Sequence, residues 1–293
     1  MRRTALLIAC FASSAFGADY PVLRTLHPFP GSRFFLPNDQ DQHTSVVMLH
    51  GSEGGSVPYI ESEATILASQ GFAVLTLCYF DCNRGLVGPR KTLRDVEATL
   101  VLRAASWLRG QPHSNGKVAV YGFSRGAELA LIVGSLTATA AERPTALIAH
   151  SPSDIYNSFY NWSWQEPSCW VCRNGLGRCP TNAPRSELAW NPACGPDDET
   201  RMDFSQSAWL IHGANVPRGV RIRIEDFDGP ILITVGERDT VWSPDQTRRI
   251  EATLRDWGRN PEVHYFPEGG HVFGGDDENR RRAHVLRFLR ALP

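Results

Sequence analysis

Apolar residues in this chain gather into short unbroken runs, most of them followed by a segment of helical period. Val46-Val47-Met48-Leu49 is the first run. Phe72-Ala73-Val74-Leu75-Thr76-Leu77-Cys78, Lys117 to Tyr121, Ala146-Leu147-Ile148-Ala149, Ile231-Leu232-Ile233-Thr234-Val235 and Glu262 to Phe266 follow. Val46–Leu49 and Phe72–Cys78 predict buried strands, and the later runs predict further strands of a sheet covered on both faces. Helical patterns fill the spaces: Glu61 to Gln70 closed by Gly71, Thr92 to Arg109 closed by Gly110, a segment around Glu128–Val133, about Asp245–Trp257 and Asn279–Leu292. In the second of these, Leu93, Val96, Leu100, Leu102 and Trp107 supply the apolar side. Strands alternating with helices predict the α/β class, with a mostly parallel, doubly wound sheet.

The alternation stops between Pro152 and about Asp228, a span with four cysteines, several prolines and tryptophans at 162, 164, 170, 190 and 209. A structureless loop of that length does not suit a compact domain. The span therefore predicts a cap insertion at about 152–228, stapled by disulfides above the C-terminal ends of the strands, where ligands bind in such sheets. Its tryptophans serve either as substrate contacts or as the cap's own small core.

Composition narrows the class. The chain has 293 residues, is 42% hydrophobic and carries a net charge of −1, so nothing in it favours a nucleic-acid partner. No apolar run after the first twenty residues is long enough for a membrane span. At the N-terminus, Arg2 and Arg3 precede the apolar stretch Thr4–Phe16, and Ala15-Phe16-Gly17 offers a cleavage site. This predicts a signal peptide over residues 1–17 and export, periplasmic or secreted, of a domain spanning 18–293; a buried first helix is the alternative. Leu7-Ile8-Ala9-Cys10 is similar to a lipobox, but only nine residues precede Cys10, so lipoprotein anchoring ranks below simple export. Six further cysteines, Cys78, Cys82, Cys169, Cys172, Cys179 and Cys194, are disulfide candidates in an oxidising compartment. Cys78 with Cys82 is a local pair, and the other four are expected to pair among themselves. The spacing of those four fits a zinc site poorly, and no metal is expected.

The chemistry centres on Tyr121-Gly122-Phe123-Ser124-Arg125-Gly126, which lies between a strand and a helix. Gly-x-Ser-x-Gly in that setting is the nucleophile elbow of α/β-hydrolases. A serine hydroxyl needs a base, and the base a partner that holds its tautomer. In this fold the chain order is serine, acid, histidine. Asp239 follows the strand ending at Val235, and His271 follows the one ending at Phe266. Glu237 competes for the acid role. His150, His212 and His264 are the other histidines weighed, none of them placed after the last strand. The oxyanion donors are expected to be the Arg125 amide and an amide from His50-Gly51-Ser52-Glu53-Gly54-Gly55, Ser52 first and Glu53 next.

Gly54-Gly55 with Glu61–Leu77, Gly122–Leu131, Gly229-Pro230-Ile231-Leu232 and Val235-Gly236 carry a wider resemblance. From about residue 44 to 292, apart from the cap, the chain resembles the branch of the α/β-hydrolase superfamily shared by dienelactone hydrolases and the C-terminal domain of acyl-CoA thioesterases and bile-acid acyltransferases. The resemblance implies an α/β-hydrolase fold with nucleophile, acid and base at Ser124, Asp239 and His271. Dienelactone hydrolases have cysteine where this chain has Ser124. The thioesterases carry an N-terminal β domain, whereas here about 25 residues separate Gly17 from the first predicted strand, and coenzyme A is not expected outside the cytoplasm. The expectation is an exported serine hydrolase that cleaves a carboxylic ester through an acyl-enzyme, without cofactor. Its substrate is a small-molecule ester or thioester. Thioester hydrolysis or acyl transfer by the same triad is one alternative; a non-catalytic binding protein on the scaffold is another. The oligomeric state is not legible from the chain.

Overall fold

The apolar runs become parallel strands because helices cover both of their faces. The computed structural model describes residues 20, 22–55, 58–82, 92–161, 170–172, 188–190 and 205–293. Chain order is β1 (Val22–Thr25), β2 (Arg33–Pro37), β3 (His43–Leu49), α1 (Pro58–Ser69), β4 (Ala73–Leu77), β5 (Thr92–Leu93), β6 (Val96–Glu97), α2 (Thr99–Arg109), β7 (Ser114–Phe123), α3 (Arg125–Gly134), β8 (Ala146–His150), β9 (Tyr160–Asn161), β10 (Trp170–Cys172), β11 (Leu188–Trp190), β12 (Gln206–Ile211), β13 (Ala214–Pro217), β14 (Ile231–Gly236), α4 (Pro244–Asp256), β15 (Glu262–Phe266) and α5 (Gly275–Arg290). One eight-stranded sheet runs β1-β2-β4-β3-β7-β8-β14-β15. From β4 to β15 every neighbouring pair is parallel.

Side chains alternate between two cores. Val47, Leu49, Leu75, Val120 and Ile233 face α2 and α3, while Val46, Met48, Val74, Tyr121 and Leu232 face α1 and α5. This is the doubly wound arrangement, and it brings the C-terminal ends of β3, β7, β14 and β15 to one edge.

Two readings of the pattern are corrected. The sheet does not begin at β3: β1 and β2 extend it antiparallel, β2 pairing with β4 through Phe34 and Phe35. The helix expected from Thr92 begins only at Thr99. Two pairs are instead drawn into strands by partners far along the chain, Thr92–Leu93 against β9 and Val96–Glu97 against β12. Leu93 and Val96 are buried in either conformation, so apolar spacing does not separate the two. Within the span 152–228, β12 and β13 form a hairpin on β6, and β10 pairs with β11. The signal-peptide residues 1–17 lie outside the described residues.

Candidate active site

Ser124 sits alone between β7 and α3, at φ 52° and ψ −116°. Positive φ is strained for a residue with a Cβ, and surrounding contacts must hold it. The Ser124 amide donates to the His150 carbonyl at 2.9 Å, and its own carbonyl accepts from the Glu128 amide at 3.0 Å. The flanking glycines are needed for space. A Cβ on Gly122 would stand 2.0 Å from the Gly126 carbonyl oxygen, and one on Gly126 would stand 2.5 Å from the carbonyl oxygens of both Leu49 and His50. Strand, helix and the loop after β3 therefore touch backbone to backbone under the serine.

The structure brings all three reacting candidates together. His271 Nε2 lies 2.8 Å from Ser124 Oγ, and His271 Nδ1 lies 2.7 Å from Asp239 Oδ2. Asp239 Oδ1 accepts from the amides of Val241 and Trp242 at 2.8 and 2.9 Å. Its side chain is 0% exposed. Burial works to raise the Asp239 pKa, but the His271 bond and the two amides outweigh it and hold the carboxyl below its ordinary range. The competitors are engaged elsewhere. Glu237 pairs with Arg248 at 2.5 Å. His150 is buried against Thr234 Oγ1, and burial lowers its pKa to about 3. His212 is exposed in the β12–β13 turn, and His264 pairs with Glu262.

Arg125 opens α3, so its amide lies outside the helix's own bonding ladder. Across from it runs the loop after β3. The His50 ring is buried, and burial lowers its pKa to about 4. That neutral ring shapes the loop by bonding the Gly51 carbonyl through Nδ1 at 2.9 Å and by stacking on Tyr79 at 4.1 Å. Beside the two expected loop donors, the Glu53 carboxyl accepts from the Gly51 amide at 2.9 Å. Ser52 stays the first loop candidate and Glu53 the next. Burial raises the Glu53 carboxyl's pKa.

Residues the sequence reading did not single out complete the wall. Trp242 presents its ring edge-on to His271 at 5.9 Å, and the Arg125 guanidinium stands 5.8 Å over that indole. Its signal was its place three residues after Asp239. Tyr79, just past β4, donates its hydroxyl to the His50 carbonyl at 2.5 Å.

Cys78 and Cys82 form a disulfide with Cα atoms 5.6 Å apart. Cys172 is also disulfide-bonded, while Cys169, Cys179 and Cys194 lie outside the described residues. So do Trp162 and Trp164. Trp209 belongs to neither expected tryptophan role, since it is fully buried in the core beneath α2 and α3. Among the described residues, Glu262, His264 and His284 bring ligand atoms within 4.8 Å of one another. Glu262 and His264 lie on β15, whose start is opposite the His271 loop, His284 lies on α5, and Glu262 pairs with Arg287.

The chain and its fold have known relatives. A model of the family described as BAAT / Acyl-CoA thioester hydrolase C terminal matches residues 102–274, and one of the X-Pro dipeptidyl-peptidase (S15) family matches residues 15–182. The chain is 34% identical over 242 residues to human acyl-coenzyme A thioesterase 6, covering 81% of this chain and 50% of that protein. Mouse acyl-coenzyme A thioesterase 6 is 28% identical over 243 residues with the same coverage. The chain thus spans about half the length of these relatives. Two solved structures share the fold. A candidate dienelactone hydrolase of Klebsiella pneumoniae has TM-score 0.59 and 14% identity over 92% of this chain and 98% of its own. Thermogutta terrifontis esterase 2, phosphonylated by sarin, has TM-score 0.56 and 17% identity over 88% of each. Sheet, elbow and more than half the chain's length in the family match lead to one assignment: the chain belongs to the α/β-hydrolase superfamily, in the family described as BAAT / Acyl-CoA thioester hydrolase C terminal.

Proposed function

We propose that this protein is an exported serine hydrolase that cleaves a small-molecule carboxylic ester through an acyl-enzyme. The observation that carries the reading is the unbroken hydrogen-bond line from Ser124 Oγ through His271 to Asp239. His271 Nε2 takes the Ser124 proton as Oγ attacks the carbonyl carbon. The oxygen, now negative, is received by the amides of Arg125 and Ser52. Collapse expels the alcohol, which carries away the proton from Nε2. Water then attacks the acyl-serine with His271 again as base; the C–Oγ bond breaks, Nε2 returns the proton to Ser124 Oγ, and the acid leaves. Asp239 keeps Nδ1 protonated throughout and stabilises the cationic ring.

Family membership favours a second substrate class, thioesters, attacked by the same groups with a thiol as leaving group. Turnover of matched ester and thioester pairs with one acyl chain separates the two. A fluorophosphonate probe tests the core of the reading. Wild-type protein is expected to be labelled on Ser124 and Ser124→Ala protein to remain unlabelled. An unlabelled wild type would identify a binding protein on a hydrolase scaffold.

Export is supported by the basic, then apolar N-terminus and by the Cys78–Cys82 disulfide, a bond of oxidising compartments. Peptide mass mapping without reduction is expected to find Cys169, Cys172, Cys179 and Cys194 in disulfides, and a mature N-terminus after Gly17. Four free thiols with bound zinc would remove the oxidising-compartment argument.

A further inference from the structure

Trp209 touches the supports of both proposed oxyanion donors, although it comes from the span that interrupts the strand–helix alternation. Its indole Nε1–H donates to Glu128 Oε1 at 2.6 Å. Glu128 is 0% exposed and stands three residues after Arg125, in the first turn of α3. The same carboxylate accepts from Arg125 Nη1 at 3.0 Å, from the Asn157 amide at 2.7 Å and from Asn157 Nδ2 at 3.1 Å. Arg125 Nη2 goes to the Ser158 carbonyl at 2.8 Å. A carboxylate shut away from water requires several donors, and most of these come from residues after Pro152. On the other side, Trp209 packs on Tyr79 at 5.9 Å. Tyr79 in turn stacks on His50 and bonds its carbonyl. His50 leads the loop that carries Ser52.

We propose that Trp209 and Glu128 are positioning residues that set the separation of the Arg125 and Ser52 amides, so that the insertion is part of the oxyanion scaffold. The inference rests on the serine-hydrolase reading. A rigid support matters because donors act only where the charge develops, and a shift of about 1 Å costs on the order of 10²-fold in rate.

Three variants test it. Glu128→Gln keeps the volume and removes the charge that faces Arg125. Trp209→Phe keeps a ring and removes the donor. Tyr79→Phe removes only the hydroxyl on the His50 carbonyl. Turnover of an activated ester is measured per Ser124 site titrated with fluorophosphonate, so unfolded protein does not count. Glu128→Gln and Trp209→Phe are each expected to lower kcat about 10- to 100-fold with KM within about 3-fold, and Tyr79→Phe about 10-fold. The Glu128→Gln/Trp209→Phe double variant is expected within about 3-fold of the worse single variant, because the two share one hydrogen bond. If Glu128→Gln does not fold, the other two variants carry the same test. Unchanged kcat per site, an effect confined to KM, or additive losses would overturn the proposal while leaving the hydrolase reading intact. A wild type that neither labels nor turns over overturns both.

Discussion

Asp239→Asn is expected to lower kcat about 10⁴-fold while the protein stays folded. The reason lies in how the carboxylate divides its oxygens. Oδ1 accepts from the amides of Val241 and Trp242, and Oδ2 faces His271 Nδ1. An asparagine must keep its oxygen toward the two amide donors, because its NH2 group cannot accept from them. The NH2 group then faces His271 and donates to Nδ1. The imidazole is forced into the tautomer with its proton on Nε2, which can no longer take the proton of Ser124 Oγ 2.8 Å away. The negative charge opposite the imidazolium is lost as well. Turnover per titrated Ser124 measures the effect, and a loss below about tenfold would show that Asp239 does not orient the base. Glu237→Gln is the control: paired with Arg248 at the surface, it is expected to leave kcat nearly unchanged. Stability adds a signature. The folded Asp239 carboxyl is held below the ordinary 3.8, so the stability it contributes is present above that value and is lost as pH falls through the lower folded one. The stability gap between wild type and Asp239→Asn should therefore narrow in acid, below about pH 3.8, in urea titrations.

The parts of this site that were legible in the sequence are those whose requirement is local. Gly122 and Gly126 announce a turn where backbones meet, and Asp239 and His271 announce themselves by following strands in the order the fold uses. The parts that stayed hidden depend on distant partners. Leu93 and Val96 read equally well as one face of a helix; only β9 and β12, far along the chain, turn them into strands. Glu128 carries no signal in its own segment, because its partner Trp209 lies 81 residues away and delivers an indole N–H to it. Tyr79 and Trp242 follow strand ends as ordinary aromatics, and their bearing on His50 and His271 appears only when the loops close. β1 and β2 are four and five residues long, and strands so short carry little periodic signal.

Gly126→Ala is expected to destabilise the protein by about 3 kcal/mol and to cost on the order of 10²-fold in kcat for the molecules that remain folded. The new methyl would sit 2.5 Å from two carbonyl oxygens, those of Leu49 and His50. Neither belongs to a side chain that can swing away. Relief requires α3 to move from the loop after β3 by about 1 Å, since ordinary contact begins near 3.4 Å. That displacement separates the Arg125 amide on one side from the Ser52 amide on the other, so stability and turnover fall together. Gly122→Ala meets the Gly126 carbonyl oxygen at 2.0 Å and is expected to be more damaging still. Gly110→Ala supplies the contrast. Its backbone is at φ −81°, and a Cβ there has nothing nearer than 3.6 Å. Loss of glycine's freedom in the unfolded chain should then stabilise by about 0.4–1 kcal/mol with kcat unchanged. Urea midpoints and kcat per titrated site check all three. A Gly126→Ala protein within about 1 kcal/mol of wild type and fully active would mean that the elbow and the oxyanion loop are not in contact, and the proposed placement of both donors would fall with it.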